Sequence, residues 1–253
     1  MTHTSKSQFK DYFSGQSAVY ARYRPQYPTT LFEYLASVVA ERHRAWDCAT
    51  GNGQAALSLI QTFDQVVATD ASEQQIVQAA AHDRIWYVVS SAEATPIRSR
   101  TMNLITVAQA VHWFDFGKFF REVDRVMVPG GILAVWSYGW MQSEPAIDEL
   151  LDKYRTQIVE SYWPPESRHV AENYCTIPFP LKELKPPSMT MEKTWTMDDL
   201  LGYLESWSAT QNYIKRNGTN PIDLIREDLE KLWWNALTRK VIRWPLNLRV
   251  GKI

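Results

Sequence analysis

The chain has 253 residues, 45% of them hydrophobic and 22% charged, which is enough to bury a substantial core and is the balance of an ordinary globular protein of one domain, or one with an elaboration. A net charge of −1, with neither sign gathered into runs, implies no nucleic-acid and no membrane-surface partner, while 11 Trp and 12 Tyr are more aromatics than packing demands and suit a small-molecule pocket. Cys48 and Cys175 lie far apart and offer neither a metal-ligand pair nor a disulfide framework, no secretory leader is present in Met1–Lys6, and no run of about eighteen apolar residues occurs, so a soluble cytoplasmic protein without a metal is expected.

Strand and helix signals alternate from residue 31 onward. Leu31, Leu35, Val38 and Val39 share a helical face that Pro28 and Thr29 begin. Trp46 to Ala49 reads as a strand, Gln54 to Thr62 as the helix after it, and Val66 to Thr69 as a second strand. Ser72 with Gln75 predicts a capping box for a helix through Ala81, because the serine satisfies an orphan N–H while the glutamine reaches back. Trp86 to Val89 is a third strand. Asn103 to Ala108 is a fourth, nearly all apolar, as in a parallel strand buried on both faces. Phe119, Phe120, Val123, Val126 and Met127 form a helical face ended by Pro129-Gly130-Gly131, and Ile132 to Trp136 is the fifth strand.

After Trp140 the rhythm changes. Ile147, Leu150, Leu151, Tyr154 and Ile158 mark an amphipathic helix, and Trp163 to Pro187 reads mainly as loop. Met189 to Trp195 alternates as a strand. Thr196 with Asp199 caps a helix carrying Leu200, Leu201, Leu204 and Trp207, another helix spans Pro221 to about Leu237, and Trp244 to Val250 is the last strand. The expected fold is α/β, a doubly wound, Rossmann-like, mostly parallel seven-stranded sheet with a helical cover.

Function is legible where the first strand ends. Gly51-Asn52-Gly53-Gln54-Ala55-Ala56 satisfies the G-x-G-x-x-G/A pattern of a nucleoside crevice, and on spacing alone NAD is allowed. Asp47, just ahead of the glycines, would repel a pyrophosphate in a partly desolvated crevice. S-adenosylmethionine carries an ammonium and a sulfonium and no phosphate, so the charge pattern favours it. Asp70, ending the second strand, suits a ribose diol with its two oxygens.

Six stretches in order resemble the class I S-adenosylmethionine-dependent methyltransferases, specifically the small-molecule, trans-aconitate-methyltransferase-like branch (methyltransferase type 11). They are Tyr20 to Pro28, Asp47 to Ala56, Ala108 to Asp115, Arg125 to Gly131, Tyr203 to Ala209, and Trp244 to Gly251, nearly the whole chain. The resemblance implies one methyltransferase domain over 1–253, with an N-terminal lid (1–30), a cofactor-binding core (31–140), an inserted cover with a late strand and helices (141–240) and a final strand (241–253). It implies cofactor contacts at Asp47, Ala49, Gly51, Gly53, Asp70 and Ala71, at Ala92 and Glu93 beside the adenine, and at Gln109 and Ala110 under the methionyl group. Asp47 is implied to face the methionine ammonium. Ala49 stands where the family carries a glycine, and alanine resists positive φ.

Methyl transfer needs alignment and exclusion of water, and a base only where the acceptor must lose a proton. Arg22 and Arg24, interleaved with Tyr20, offer a fork for a substrate carboxylate. His112 is the candidate base at the crevice mouth, Trp113 a pocket wall, and Trp207 either faces substrate or belongs to the core. The leading expectation is O-methylation of a small molecule, with a carboxylic acid as the candidate acceptor, by a monomer or homodimer. An inactive S-adenosylmethionine-binding protein and an NAD-dependent oxidoreductase stand as alternatives.

Overall fold

The computed structural model describes residues 25–253. Helix α1 (Thr29–Val38) precedes a run of parallel strands, β1 (Arg44–Cys48), β2 (Gln65–Asp70), β3 (Ile85–Val89), β4 (Met102–Ala108) and β5 (Met127–Tyr138). Between them lie α2 (Gln54–Leu59), α3 (Glu73–Val77) and α4 (Phe116–Val126). The cover follows as α5 (Pro145–Lys153), a π-helical turn at Tyr154–Ile158, β6 (Lys182–Leu184), β7 (Met189–Trp195), α6 (Met197–Glu205), α7 (Ser208–Asn217) and α8 (Arg226–Trp233), and β8 (Lys240–Lys252) ends the chain.

The sheet order is β3-β2-β1-β4-β5-β8-β6, with β7 also paired to β8. From β1 the chain builds outward to β3, then returns to start again at β4 on the other side, which leaves a crevice above the C-terminal ends of β1 and β4. All seven expected strands are present. The eighth, β6, pairs antiparallel with Leu184 opposite Val250, in a stretch expected to be loop. Alternation along the central strands feeds two cores, as a doubly wound sheet requires. Trp46, Val107 and Val135 pack on α4 through Phe119, Val123 and Val126. On the other face Ala45, Leu104 and Trp136 share one core with Leu31 and Leu35 of α1, Leu59 of α2, and Leu151, Leu204 and Leu229 of the cover.

Several boundaries differ from those expected. Helix α2 ends at Leu59 rather than Thr62, and the Thr62 hydroxyl donates to the Leu59 carbonyl at 3.2 Å, competing with the helix ladder. Ser72 accepts from the Gln75 N–H at 3.4 Å, but α3 stops at Val77 rather than Ala81 because it buries no residue. Met127 belongs to β5, not to the preceding helix. It pairs with Met102, and Ile132 pairs with Leu104, so Pro129-Gly130-Gly131 forms a bulge within the strand, with Gly130 at φ 78°. The predicted Thr196–Asp199 capping box is present. The expected helix from Pro221 is broken into a 3₁₀ turn, Pro221–Leu224, and α8, while the intervening α7 carried no separate sequence signal.

Candidate active site

Strain marks the two central strand ends. Ala49 after β1 lies at φ 54° and Gln109 after β4 at φ 57°, left-handed conformations that cost a non-glycine residue about 1–2 kcal/mol each. The alanine that departs from the glycine pattern therefore adopts the conformation the turn requires. Strained residues persist where the surrounding structure over-determines them, and they gather at sites of function.

The glycine turn is laced in place from below. Thr50 N–H donates to the Thr69 carbonyl at 2.9 Å, and Gly51 N–H donates to Asp70 Oδ2 at 2.9 Å. The other oxygen of Asp70 accepts from Ser72 N–H at 2.8 Å, so one carboxylate joins the turn to the cap of α3. Gly51 and Gly53 take φ of 58° and 85°, and Gly53 starts α2 by accepting from Leu57 N–H at 3.0 Å. A Cβ on Gly53 would lie 2.5 Å from Tyr87 Oη, so only glycine leaves the cradle open. That phenol oxygen is buried without a hydrogen-bond partner.

Asp47 is placed differently from what the resemblance implied. It is 1% exposed and sits beneath the turn, with Oδ2 accepting from the Thr50 hydroxyl at 2.5 Å and Oδ1 from the Thr106 hydroxyl at 2.8 Å. Its carboxylate thus anchors the turn from below through Thr50 and ties it to β4 through Thr106. Thr50 and Thr106 escaped the sequence reading, although a threonine inside the apolar β4 run was a visible signal. Burial pushes the Asp47 carboxyl up to about 6, against the hydroxyl bonds and the Ala56 N–H, and Asp70 adds repulsion. A carboxyl raised on folding favours the fold while it is protonated, so its contribution is full below the unfolded value and is lost as pH rises through about 6. Urea unfolding between about pH 4.5 and 7.5 is expected to show stability falling on the order of 2 kcal/mol, and Asp47→Asn is expected to flatten that slope, since threonine hydroxyls turn to meet an amide. An unchanged slope in the variant would assign the titration elsewhere.

Around the crevice, Ala92 and Ala110 are buried, Glu93 and Gln109 are half-buried, and Ala71 is exposed beside Asp70. Glu93 Oε1 accepts from Asp115 N–H at 3.1 Å, tying the loop after β3 to the one after β4. His112 is buried, its Nδ1 2.8 Å from the hydroxyl of Tyr174 in the cover. Burial, with His169 adding to it, lowers its pKa to about 3, so the ring rests neutral at the crevice mouth. Trp113 stays half-buried, its ring 4.8 Å from His112.

Trp207 caps α7 rather than riding on the face of α6. It is buried against Trp163 at 5.5 Å and Trp140 at 5.8 Å, and these two are 5.7 Å apart. Trp140, beyond the C-terminal end of β5, remains 37% exposed, and the Arg155 guanidinium lies over its ring at 4.5 Å. Arg155 also pairs with Asp152. Tyr20, Arg22 and Arg24, assigned to substrate from the sequence, lie outside the described residues.

The residues present fit S-adenosylmethionine. Gly53 leaves a cradle that a Cβ would fill, an unpartnered buried phenol adjoins it, and two carboxylates suit a cation and a diol. Neither 47–56 nor 70–72 contains a lysine or arginine to receive a pyrophosphate. Among the described residues no group of three or more acidic, histidine or cysteine side chains is placed to hold a metal, and no helix is long and apolar enough to cross a membrane.

The chain is similar to known methyltransferases. The model of the methyltransferase domain family matches residues 46–135. A Dictyostelium discoideum protein named as a methyltransferase is 32% identical over 231 residues, covering 90% of this chain and 88% of its own length. A solved structure from Anaeromyxobacter dehalogenans, described as a type II methyltransferase, is 38% identical with a TM-score of 0.86, covering 90% of this chain and 97% of that one. A Saccharomyces cerevisiae protein named as an S-adenosylmethionine-dependent methyltransferase is 21% identical over 86% of this chain and 88% of its own.

Proposed function

From the premise that the chain belongs to the class I S-adenosylmethionine-dependent methyltransferases, we propose that it methylates a carboxylate oxygen of a small molecule with a planar or apolar body. Membership makes S-adenosylmethionine the cofactor and sets aside the oxidoreductase and inactive-binder alternatives. In this reading Gly51, Gly53, Asp70 and Ala71 hold the ribose and methionyl arm, Ala92 and Glu93 border the base, and Gln109 with Ala110 forms the floor. When bound, the cofactor supplies a methyl group activated on a sulfonium for in-line displacement.

The acceptor reading is carried by the pairing of Arg155 with Trp140. The Arg155 guanidinium lies over the face of an accessible indole beyond the end of β5 and is held there by Asp152, so a cation layered on a flat apolar ring is offered to an incoming acid. Trp163 and Trp207 back that ring and exclude water from one side. A carboxylate is already ionised at neutral pH and needs orientation rather than deprotonation. The test is formation of S-adenosylhomocysteine with matched panels of carboxylic acids, phenols and amines. Acids are expected to turn over, and Arg155→Gln is expected to raise KM for them about tenfold with product affinity unchanged, the loss of one charge-assisted contact. Turnover of phenols or amines alone, or an indifferent Arg155 variant, would refute the acid reading.

A further inference from the structure

Tyr174 reaches His112 across 62 residues of chain, at a cost the fold visibly accepts. Asn173 and Tyr174 are consecutive non-glycine residues in the left-handed region, at φ 54° and 60°. The strained turn is held from several sides. Tyr174 N–H donates to the His169 carbonyl at 2.7 Å, and Asn247 Nδ2 donates to Asn173 Oδ1 at 2.7 Å. Arg249 Nη1 donates to the carbonyls of Tyr174 at 2.9 Å and Ile177 at 2.7 Å. The result is a fully buried phenol whose hydroxyl meets Nδ1 of His112, three residues beyond the strained Gln109. Burial alone required only an apolar side chain at 174.

We infer that Tyr174 is a positioning residue that donates its hydroxyl hydrogen to His112 Nδ1, so that His112 carries its proton on Nε2 and presents it to the substrate as a hydrogen-bond donor. The inference rests on the methyltransferase reading above and specifies how the same crevice holds its acceptor. A ring whose Nδ1 accepts must keep its hydrogen on Nε2 while neutral. The titratable groups near it include Tyr174 and His169 of the cover, Glu166 in the turn packed against Val111–Trp113, and, on its own side, Asp115 with Glu93 bonded to its N–H. The depressed basicity of the imidazole keeps the ring neutral across the physiological range. With a carboxylate acceptor, the N–H holds the oxygen that does not react. The other oxygen forms the new O–CH₃ bond as the S–CH₃ bond breaks, sulfur keeps the electron pair, and no proton moves.

The first test is nitrogen-resolved NMR of the His112 ring in the full chain, with S-adenosylhomocysteine added. The expected state is a neutral Nε2–H tautomer that does not titrate where an ordinary histidine does, and Tyr174→Phe is expected to release it to a mixture of tautomers. A wild-type Nδ1–H tautomer, or ordinary titration, would overturn the inference. The second test is turnover of a carboxylic acid drawn from the panel. His112→Gln, whose amide nitrogen can stand in for the Nε2 donor, is expected to stay within about threefold of wild type, while His112→Leu loses about 10- to 100-fold in kcat/KM without a change in product affinity. Equal losses in both variants would assign His112 to packing. Should His112→Leu fail to fold, Tyr174→Phe replaces it, with an expected loss of about tenfold in kcat at unchanged product affinity. If no acid is turned over, the acceptor reading fails by itself and the ring measurement still decides whether Tyr174 sets the tautomer of His112.

Discussion

Asp70→Ala is expected to weaken binding of S-adenosylhomocysteine at least about 100-fold by calorimetric titration, the loss of two charge-assisted acceptor positions at about 1.5–3 kcal/mol each. The argument starts at the end of β2, where the carboxylate takes Gly51 N–H on one oxygen and Ser72 N–H on the other. These bonds set the height of the glycine turn above the crevice, and the same oxygens are proposed to receive the ribose diol. Alanine removes both functions together. The sheet beneath survives, because β2 stays paired with β1 along Gln65–Thr69 and with β3 along Val66–Asp70. Asp70→Asn keeps one acceptor oxygen but turns an amide toward the second N–H, and its expected loss is about tenfold. An alanine variant that binds within threefold of wild type would place the ribose contact elsewhere and leave Asp70 as a structural staple alone.

How far the sequence led depends on whether the controlling interactions are local. Strands β1 to β5 announce themselves through apolar runs, and the glycine turn through its spacing, because both are short-range patterns. Asp70 was readable for the same reason. The role of Asp47 was not. Its type and place were plain, yet its inward orientation depends on Thr106, 59 residues away in sequence and opposite it across the sheet. The tryptophan wall draws on positions 140, 163 and 207, which share no period, and Tyr174 reaches His112 from a segment expected to be loop. Strand β6 carries two charged residues in three and has no alternation to detect. The bulge at Pro129-Gly130-Gly131 looks like a terminator locally, and only pairing on both sides of it shows that β5 continues. Positive φ at Ala49 and Gln109 ran against local preference, and those positions border the crevice.

Gly53→Ala carries the other large expected effect, about 100-fold weaker cofactor binding together with a loss of stability on the order of 2–4 kcal/mol, from left-handed backbone strain and overpacking combined. The added Cβ lies 2.5 Å from Tyr87 Oη and 3.1 Å from Cε1, so either the phenol moves or the start of α2 does. Moving α2 disturbs Gly53 N–H, which donates to the Thr50 carbonyl at 3.0 Å, and through Thr50 the carboxylate of Asp47. The two costs are separable. Tyr87→Phe deletes the nearest contact and a buried hydroxyl that has no partner, so alone it is expected to leave the unliganded fold as stable or slightly more so. Combined with Gly53→Ala it is expected to restore about half of the lost stability, because the hydroxyl contact is relieved while the φ of 85° remains. Urea unfolding of the four proteins in a double-mutant cycle reads this coupling directly. Strict additivity would mean that the phenol yields freely and that backbone conformation alone reserves position 53 for glycine, whereas recovery of stability without recovery of binding would assign the Tyr87 hydroxyl to the cofactor.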